Sequence, residues 1–130
     1  MRNYIKNLLI LFIAILFISC SKEEGYGGLA KITGKVYGKD INSSGNLVGE
    51  GYLGDVSVYI SKSGETAYFD KVDSAYDGSF TFKFLHKGTY DIWAFGDCDN
   101  CSWDQNFTKK TITISSTKET FTTEDLVITF

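Results

Sequence analysis

Apolar and polar side chains alternate with a period of two residues through most of the chain beyond residue 29. Such a period sends one face of a strand into a core and leaves the other face outside. No later segment repeats with the period of a helix. The alternating segments are 32–37, 56–61, 80–84, 90–95, 111–115 and 126–130, with a more polar stretch at 66–73. Because a single half-buried strand cannot cover its own apolar face, the pattern predicts an all-β fold, a seven-stranded antiparallel β-sandwich.

Turn-forming residues separate these segments, which supports the division into short strands. The separators are residues 42–46, Ser63 with Gly64, Asp77 with Gly78, Lys87 with Gly88, and residues 97–106. Aromatic residues make up 15% of the chain and suit a sandwich core. The chain contains no proline, so we expect charged side chains such as Asp70, Lys71 and Asp73 to protect the edge strand.

The first twenty residues have the pattern of an export signal. Arg2 and Lys6 precede an uncharged stretch at 8–18, which is shorter than the roughly 20 residues of a membrane-spanning helix. Ser19 and Cys20 follow it directly. This order resembles the lipobox of diacylglyceryl-modified bacterial lipoproteins, in which the cysteine carries the lipid. The alternative is an uncleaved membrane anchor, and both interpretations tether the chain to a membrane.

The lipobox resemblance divides the chain into three parts. It implies a cleaved signal peptide at 1–19, a lipidated flexible tether at 20–28 and one folded domain at 29–130. Residues 22–24, Lys-Glu-Glu, resemble the surface-export signal of Bacteroidetes-type lipoproteins, although a solvated linker has the same composition. The expected location is the outer membrane, with the chain anchored by lipid at Cys20 and exposed at the cell surface.

The charge of the chain argues against a nucleic-acid partner. The formal net charge is −3, and loss of Arg2 and Lys6 with the signal peptide would make it about −5. No basic cluster is present. Because affinity for nucleic acids depends mainly on neutralising phosphates, this class of partner is excluded.

Two further cysteines, Cys98 and Cys101, lie close together in the sequence. Lipidation of Cys20 would leave them as an even pair in an oxidising compartment, which favours a local disulfide. A thioredoxin-like redox pair is the alternative, but it needs a helix N-terminus to lower the thiol pKa, and the sequence predicts a loop here.

The same loop is rich in oxygen-bearing side chains. Asp97, Asp99, Asn100 and Asp104 could collect around a calcium ion, because hard cations prefer carboxylate and carbonyl oxygens. Their spacing is not that of an EF-hand, and the same residue types are common in ordinary turns. No metal or other cofactor is therefore predicted.

Several stretches in order resemble the carboxypeptidase regulatory-like domain. They are residues 32–36, 53–60, 77–82 and 88–94. The resemblance covers residues 30–130 and implies a transthyretin-like or immunoglobulin-like sandwich that serves as a non-catalytic accessory, adhesion or scaffold module, with its partner supplied by another chain. Two features depart from the family pattern: Leu53 stands where a proline is usual, and the connection at 39–52 is longer.

Catalytic chemistry has little support in the sequence. His86 is the only histidine, and it lies in a predicted hairpin turn. Zinc hydrolysis needs further ligands and a base, and a serine nucleophile needs a positioned base. We therefore predict no catalytic residue and expect that the protein is not an enzyme.

Four aromatic residues fall on strand faces opposite the predicted core: Tyr37, Tyr59, Trp93 and Phe95. If Tyr59 and Trp93 are cross-strand neighbours, they form a patch that can stack on sugar rings or anchor a protein, with Trp103 at its border. Alternatively, these rings only pack on one another or cover the sheet. The sequence therefore predicts a structural or protein-interaction module, with a glycan-binding accessory lipoprotein as the alternative.

Overall fold

A computed structural model describes residues 23–97 and 105–130. Within these ranges the chain forms nine strands and no helix, so none of the described segments is a helix able to cross a membrane. The strands are β1 (Tyr26–Ile41), β2 (Leu47–Tyr52), β3 (Ser57–Lys62), β4 (Asp70–Asp73), β5 (Ser79–Leu85), β6 (Gly88–Asp97), β7 (Gln105–Ile114), β8 (Thr120–Thr122) and β9 (Leu126–Thr129).

The long strand β1 organises the first sheet, which has five strands. Along one edge of β1, β5 pairs with its first half and β2 with its second half, both antiparallel. Along the other edge, β8 and β9 pair with β1 in parallel. The C-terminal segment therefore closes this sheet by running beside β1 in the same direction.

The second sheet has four antiparallel strands in the order β4-β3-β6-β7. The inward faces of the two sheets share one apolar core, in which each sheet supplies alternate residues of its strands. The fully enclosed side chains are Ala30, Ile32, Val36, Val58, Ile60, Phe82, Leu85, Tyr90, Ile92, Ala94, Ile114 and Leu126. Alternation of buried and exposed positions along β6 leaves Trp93 and Phe95 on the outer face.

The all-β, two-sheet architecture is confirmed, but three details of the sequence prediction are wrong. The periodicity predicts seven strands, whereas the described residues form nine, because β2 lies in the supposed long connection and β8 is only three residues long. The pairing is not purely antiparallel, since β8 and β9 run parallel to β1. Phe84, which the alternation of segment 80–84 places on the same face as Phe80 and Phe82, is instead 60% exposed, because its positive φ of 61° breaks the alternation and turns Leu85 inward.

The folded body begins earlier than the predicted boundary at residue 29, because β1 already includes Tyr26. The Glu24 carboxylate accepts a hydrogen bond from the Thr89 N–H at 2.8 Å. The Gly25 N–H donates to the hydroxyl of Tyr90 at 2.9 Å, and that hydroxyl donates to the His86 carbonyl at 2.8 Å. These bonds attach residues 24–25 to the β5–β6 turn, so the part of the tether that follows Glu23 belongs to the domain.

Candidate binding site

The outer face of the four-stranded sheet carries a row of side chains that crosses all four strands. Lys71 on β4 lies opposite Tyr59 on β3, which lies opposite Trp93 on β6, which in turn lies opposite Lys109 on β7. Directly opposed residues of antiparallel strands share a face and come into contact. The register therefore brings Tyr59 and Trp93 together at the centre of this face.

These two aromatic rings are stacked. Their centroids are 5.9 Å apart and their planes differ by 14°. Phe95 contacts Tyr59 edge-on at 5.7 Å and lies 6.3 Å from Phe107 on β7. Tyr68, from the loop between β3 and β4, meets Tyr59 at 4.9 Å. Five rings from three strands and one loop thus form a continuous aromatic surface, which we call the aromatic floor.

The β3–β4 loop turns the aromatic floor into a cleft of about 510 Å³. The Phe69 N–H donates to the Ile60 carbonyl at 3.0 Å and the Ser63 N–H donates to the Thr89 carbonyl at 2.9 Å, which fixes both ends of the loop. The residues that line the cleft are Tyr59, Glu65, Thr66, Tyr68, Asp91, Trp93, Phe95, Phe107 and Lys109. A largely aromatic cleft with a few polar groups has the composition of a small-molecule site.

Asp91 forms the polar end of the cleft, although it is only 4% exposed. Its carboxylate accepts hydrogen bonds from the Thr111 hydroxyl at 2.6 Å and the Gly64 N–H at 3.2 Å, and it lies 3.5 Å from Lys109 Nζ. Burial alone would raise the pKa of Asp91, but these hydrogen bonds and the lysine charge outweigh it and hold the pKa below its usual value. Asp91 is therefore ionised and also secures the start of the β3–β4 loop.

Of the four outward aromatic residues named from the sequence, the structure brings three together and separates the fourth. Tyr59, Trp93 and Phe95 belong to the aromatic floor. Tyr37 lies on β1 in the other sheet, where its ring meets Tyr52 edge-on at 5.3 Å. The grouping of Tyr37 with the other three is therefore wrong, because period two distinguishes inside from outside but does not say which sheet a strand joins.

Several other predicted residues lie outside the described part of the chain. They are Cys20, Cys98, Cys101, Asp99, Asn100, Trp103 and Asp104, so the lipidation, disulfide and calcium hypotheses stay predictions. Asp97 is exposed at the end of β6, opposite Gln105 at the start of β7. His86 contributes its backbone, since its N–H donates to the Gly25 carbonyl at 2.9 Å.

Sequence reasoning missed six of the residues that line the cleft: Glu65, Thr66, Tyr68, Asp91, Phe107 and Lys109. The structure begins β7 six residues before the predicted start at 111, and the two-residue period of the strand then places Phe107 and Lys109 on the outer face with Thr111, although residues 105–110 show no apolar alternation of their own. For Asp91, the signal was an acidic residue on the same strand face as Trp93 and Phe95. The position of Tyr68 follows from loop closure and has no local signal.

Comparison with known proteins bears on the fold. No family model matches the chain, and no curated protein sequence is significantly similar to it. Among solved structures, a candidate carbohydrate-binding protein from Pseudomonas aeruginosa matches with a TM-score of 0.50 and 14% identity, over 82% of this chain and 92% of that one. A 9R-lipoxygenase from Cyanothece matches with a TM-score of 0.36 and 16% identity, over 92% of this chain and 20% of that one. The first similarity shows a shared β-rich fold, and the second adds nothing to it.

Proposed function

We propose that this protein is a non-catalytic carbohydrate-binding module whose ligand lies on the aromatic floor. The observation that carries this proposal is the stacked pair of Tyr59 and Trp93 inside a cleft that has Asp91 and Lys109 at one end. A sugar ring presents apolar C–H faces and polar hydroxyl edges. An aromatic surface bordered by a few charged and hydroxyl groups complements both features.

The geometry of the cleft favours a ligand with a flat face. The planes of the Tyr59 and Trp93 rings are nearly parallel, at 14°, and their centroids are 5.9 Å apart, so the stacked pair holds two adjacent aromatic surfaces in a fixed orientation. The part of the β3–β4 loop that carries Glu65 and Thr66 provides a wall beside these rings. The hydrogen bonds that hold the loop make the site largely preformed, which reduces the ordering cost of binding. The fold neighbour from Pseudomonas aeruginosa is compatible with this ligand class.

A protein-interaction role is the second candidate, and one observation favours it. Phe95 and Phe107, at the end of the cleft away from Asp91, are 44% and 62% exposed. Exposed aromatic side chains in a cluster are typical anchors of protein interfaces. A protein partner would depend chiefly on these two rings, whereas a glycan would depend chiefly on Tyr59 and Trp93.

The cellular setting of the module is also a proposal. The order of charged, apolar, serine and cysteine residues that ends at Cys20 supports a lipid anchor in the outer membrane with surface exposure. The quoted stretches and the two-sheet fold support membership of the carboxypeptidase regulatory-like group. Under this proposal the domain needs few residues between the lipid and its first fixed residue, Glu24, and holds its ligand close to the membrane.

Glycan binding is tested with the full chain, solubilised in a polyoxyethylene detergent that carries no sugar, against a panel of soluble polysaccharides. We expect Trp93→Ala to weaken binding by about tenfold or more, because a central aromatic contact contributes roughly 1–2 kcal/mol. Tyr37→Ala is the matched control on the other sheet and should leave affinity unchanged. Retention of no polysaccharide, together with capture of a protein partner that Phe107→Ala abolishes, would replace this proposal by the second candidate.

A further inference from the structure

The charges that face the cleft are few, and two of them are paired. Among the described residues that line it, Lys109 is the one cation, and its Nζ lies 3.5 Å from the Asp91 carboxylate. The Lys109 side chain is 49% exposed, so its remaining N–H donors reach the cleft. Glu65 is exposed at the wall and adds a negative charge.

The Asp91 carboxylate is held in a position from which it compensates the positive charge of Lys109. It sits beneath the β3–β4 loop, and both of its carboxylate oxygens accept hydrogen bonds from within the protein. Thr111 lies opposite Asp91 on β7, so the donor is fixed by strand register. Lys71, on the far side of Tyr59, does not line the cleft. An anionic ligand would therefore have to compete with Asp91 for Lys109 and would be repelled by Glu65.

We propose that Asp91 is a specificity-determining residue that restricts the cleft to uncharged sugars by compensating the charge of Lys109. This inference rests on the proposed carbohydrate function. Lys109 then acts as a hydrogen-bond donor to sugar hydroxyls rather than as an anion receptor. Without Asp91, the same lysine would present an uncompensated cation beside the Trp93 ring, which is the arrangement expected to bind uronate or sulfate groups.

The test compares neutral polysaccharides, such as mannan and β-glucan, with polygalacturonate and dextran sulfate, all at low ionic strength. We expect the full chain to bind at least one neutral polymer and to bind the acidic polymers at least about tenfold more weakly. Asp91→Asn should gain about tenfold in affinity for the acidic polymers, and this gain should disappear at high salt because it depends on charge. Thr111→Val removes a hydrogen bond to Asp91 but no charge, so it should gain nothing.

Two results would overturn this inference while leaving the proposed carbohydrate function intact. One is equal binding of acidic and neutral polymers by the unaltered chain, and the other is an Asp91→Asn protein that folds but keeps the preference for neutral polymers. Lys109→Met provides a second variant in case Asp91→Asn does not fold. It should bind neutral polymers more weakly and gain no affinity for acidic ones, and a gain would overturn the inference. Failure of the unaltered chain to bind any polysaccharide would instead refute the proposed function, and the inference with it.

Discussion

The hydroxyl of Tyr90 offers the most direct test of how this fold is held together. Tyr90 is completely buried, and its hydroxyl joins two chain segments that are 61 residues apart, Gly25 and His86. Tyr90→Phe removes this hydroxyl and leaves the ring, so the packing of the core is retained. The substitution therefore isolates the two hydrogen bonds from the hydrophobic contribution of the ring.

The expected loss of stability follows from these two bonds. A neutral hydrogen bond contributes a net of about 1 kcal/mol, and a buried donor left without a partner costs about 1–3 kcal/mol. Both the Gly25 N–H, at 2.9 Å, and the His86 carbonyl, at 2.8 Å, lose the Tyr90 hydroxyl. We therefore expect Tyr90→Phe to lower the free energy of unfolding by about 2 kcal/mol, and the melting temperature by roughly 6–12 °C.

Urea unfolding followed by tryptophan fluorescence measures this loss, with amide hydrogen exchange at Gly25 as a local probe. The matched control is Tyr76→Phe, because Tyr76 is 94% exposed and should change the free energy of unfolding by less than about 0.5 kcal/mol. Equal effects of the two substitutions, with unchanged protection of the Gly25 N–H, would refute the reasoning. Such a result would mean that the hydroxyl contributes nothing that water cannot replace.

Two further predictions concern a buried charge and a tight turn. The pKa of Asp91 is depressed in the folded protein, so its stabilising effect is present above its unfolded value of about 3.9 and is lost as the pH falls through the folded value. Asp91→Asn should therefore make unfolding free energies less dependent on pH below about pH 4, as urea titrations at several pH values will show. Gly45 and Gly78 have nearly equal φ, +80° and +81°, but a Cβ at Gly78 would lie 2.7 Å from the Val36 carbonyl whereas one at Gly45 meets nothing. Gly45→Ala should lower the free energy of unfolding by about 1 kcal/mol, and Gly78→Ala should lower it by at least about 1 kcal/mol more. Equal losses in thermal melts would show that the clash at Gly78 is relieved.

Much of the fold was predictable from the sequence, because buried and exposed side chains alternate so regularly along most strands. Ile32, Val58 and Ile92 lie at alternating apolar positions, and each is completely buried. β2 was not predictable from this alternation, because most of its side chains are exposed and it pairs with β1 at the sheet edge. Its formation depends on backbone hydrogen bonds to β1, and side-chain patterns do not reveal these.

The candidate site was predictable in part, for a related reason. The two-residue alternation placed Tyr59 and Trp93 outside, but it does not say which strands are neighbours; the register shows that the two residues lie opposite each other on β3 and β6. The approach of Tyr68 to Tyr59 depends on how the β3–β4 loop closes, and the burial of Asp91 depends on the same loop lying over β6. Contacts of this kind join residues far apart in sequence, so no local pattern encodes them.

Under the proposed function, strand β6 would allow the domain to change its ligand without losing its fold. Tyr90, Ile92 and Ala94 point into the core, while Asp91 and Trp93 point into the cleft. One rigid strand thus positions the binding residues through its buried neighbours, yet it keeps the two sets on opposite faces. Substitutions on the cleft face, other than at the partly structural Asp91, should therefore alter affinity with little effect on stability, whereas substitutions on the core face should alter both. This separation is what a recognition module requires, because the ligand preference can then vary on a constant scaffold.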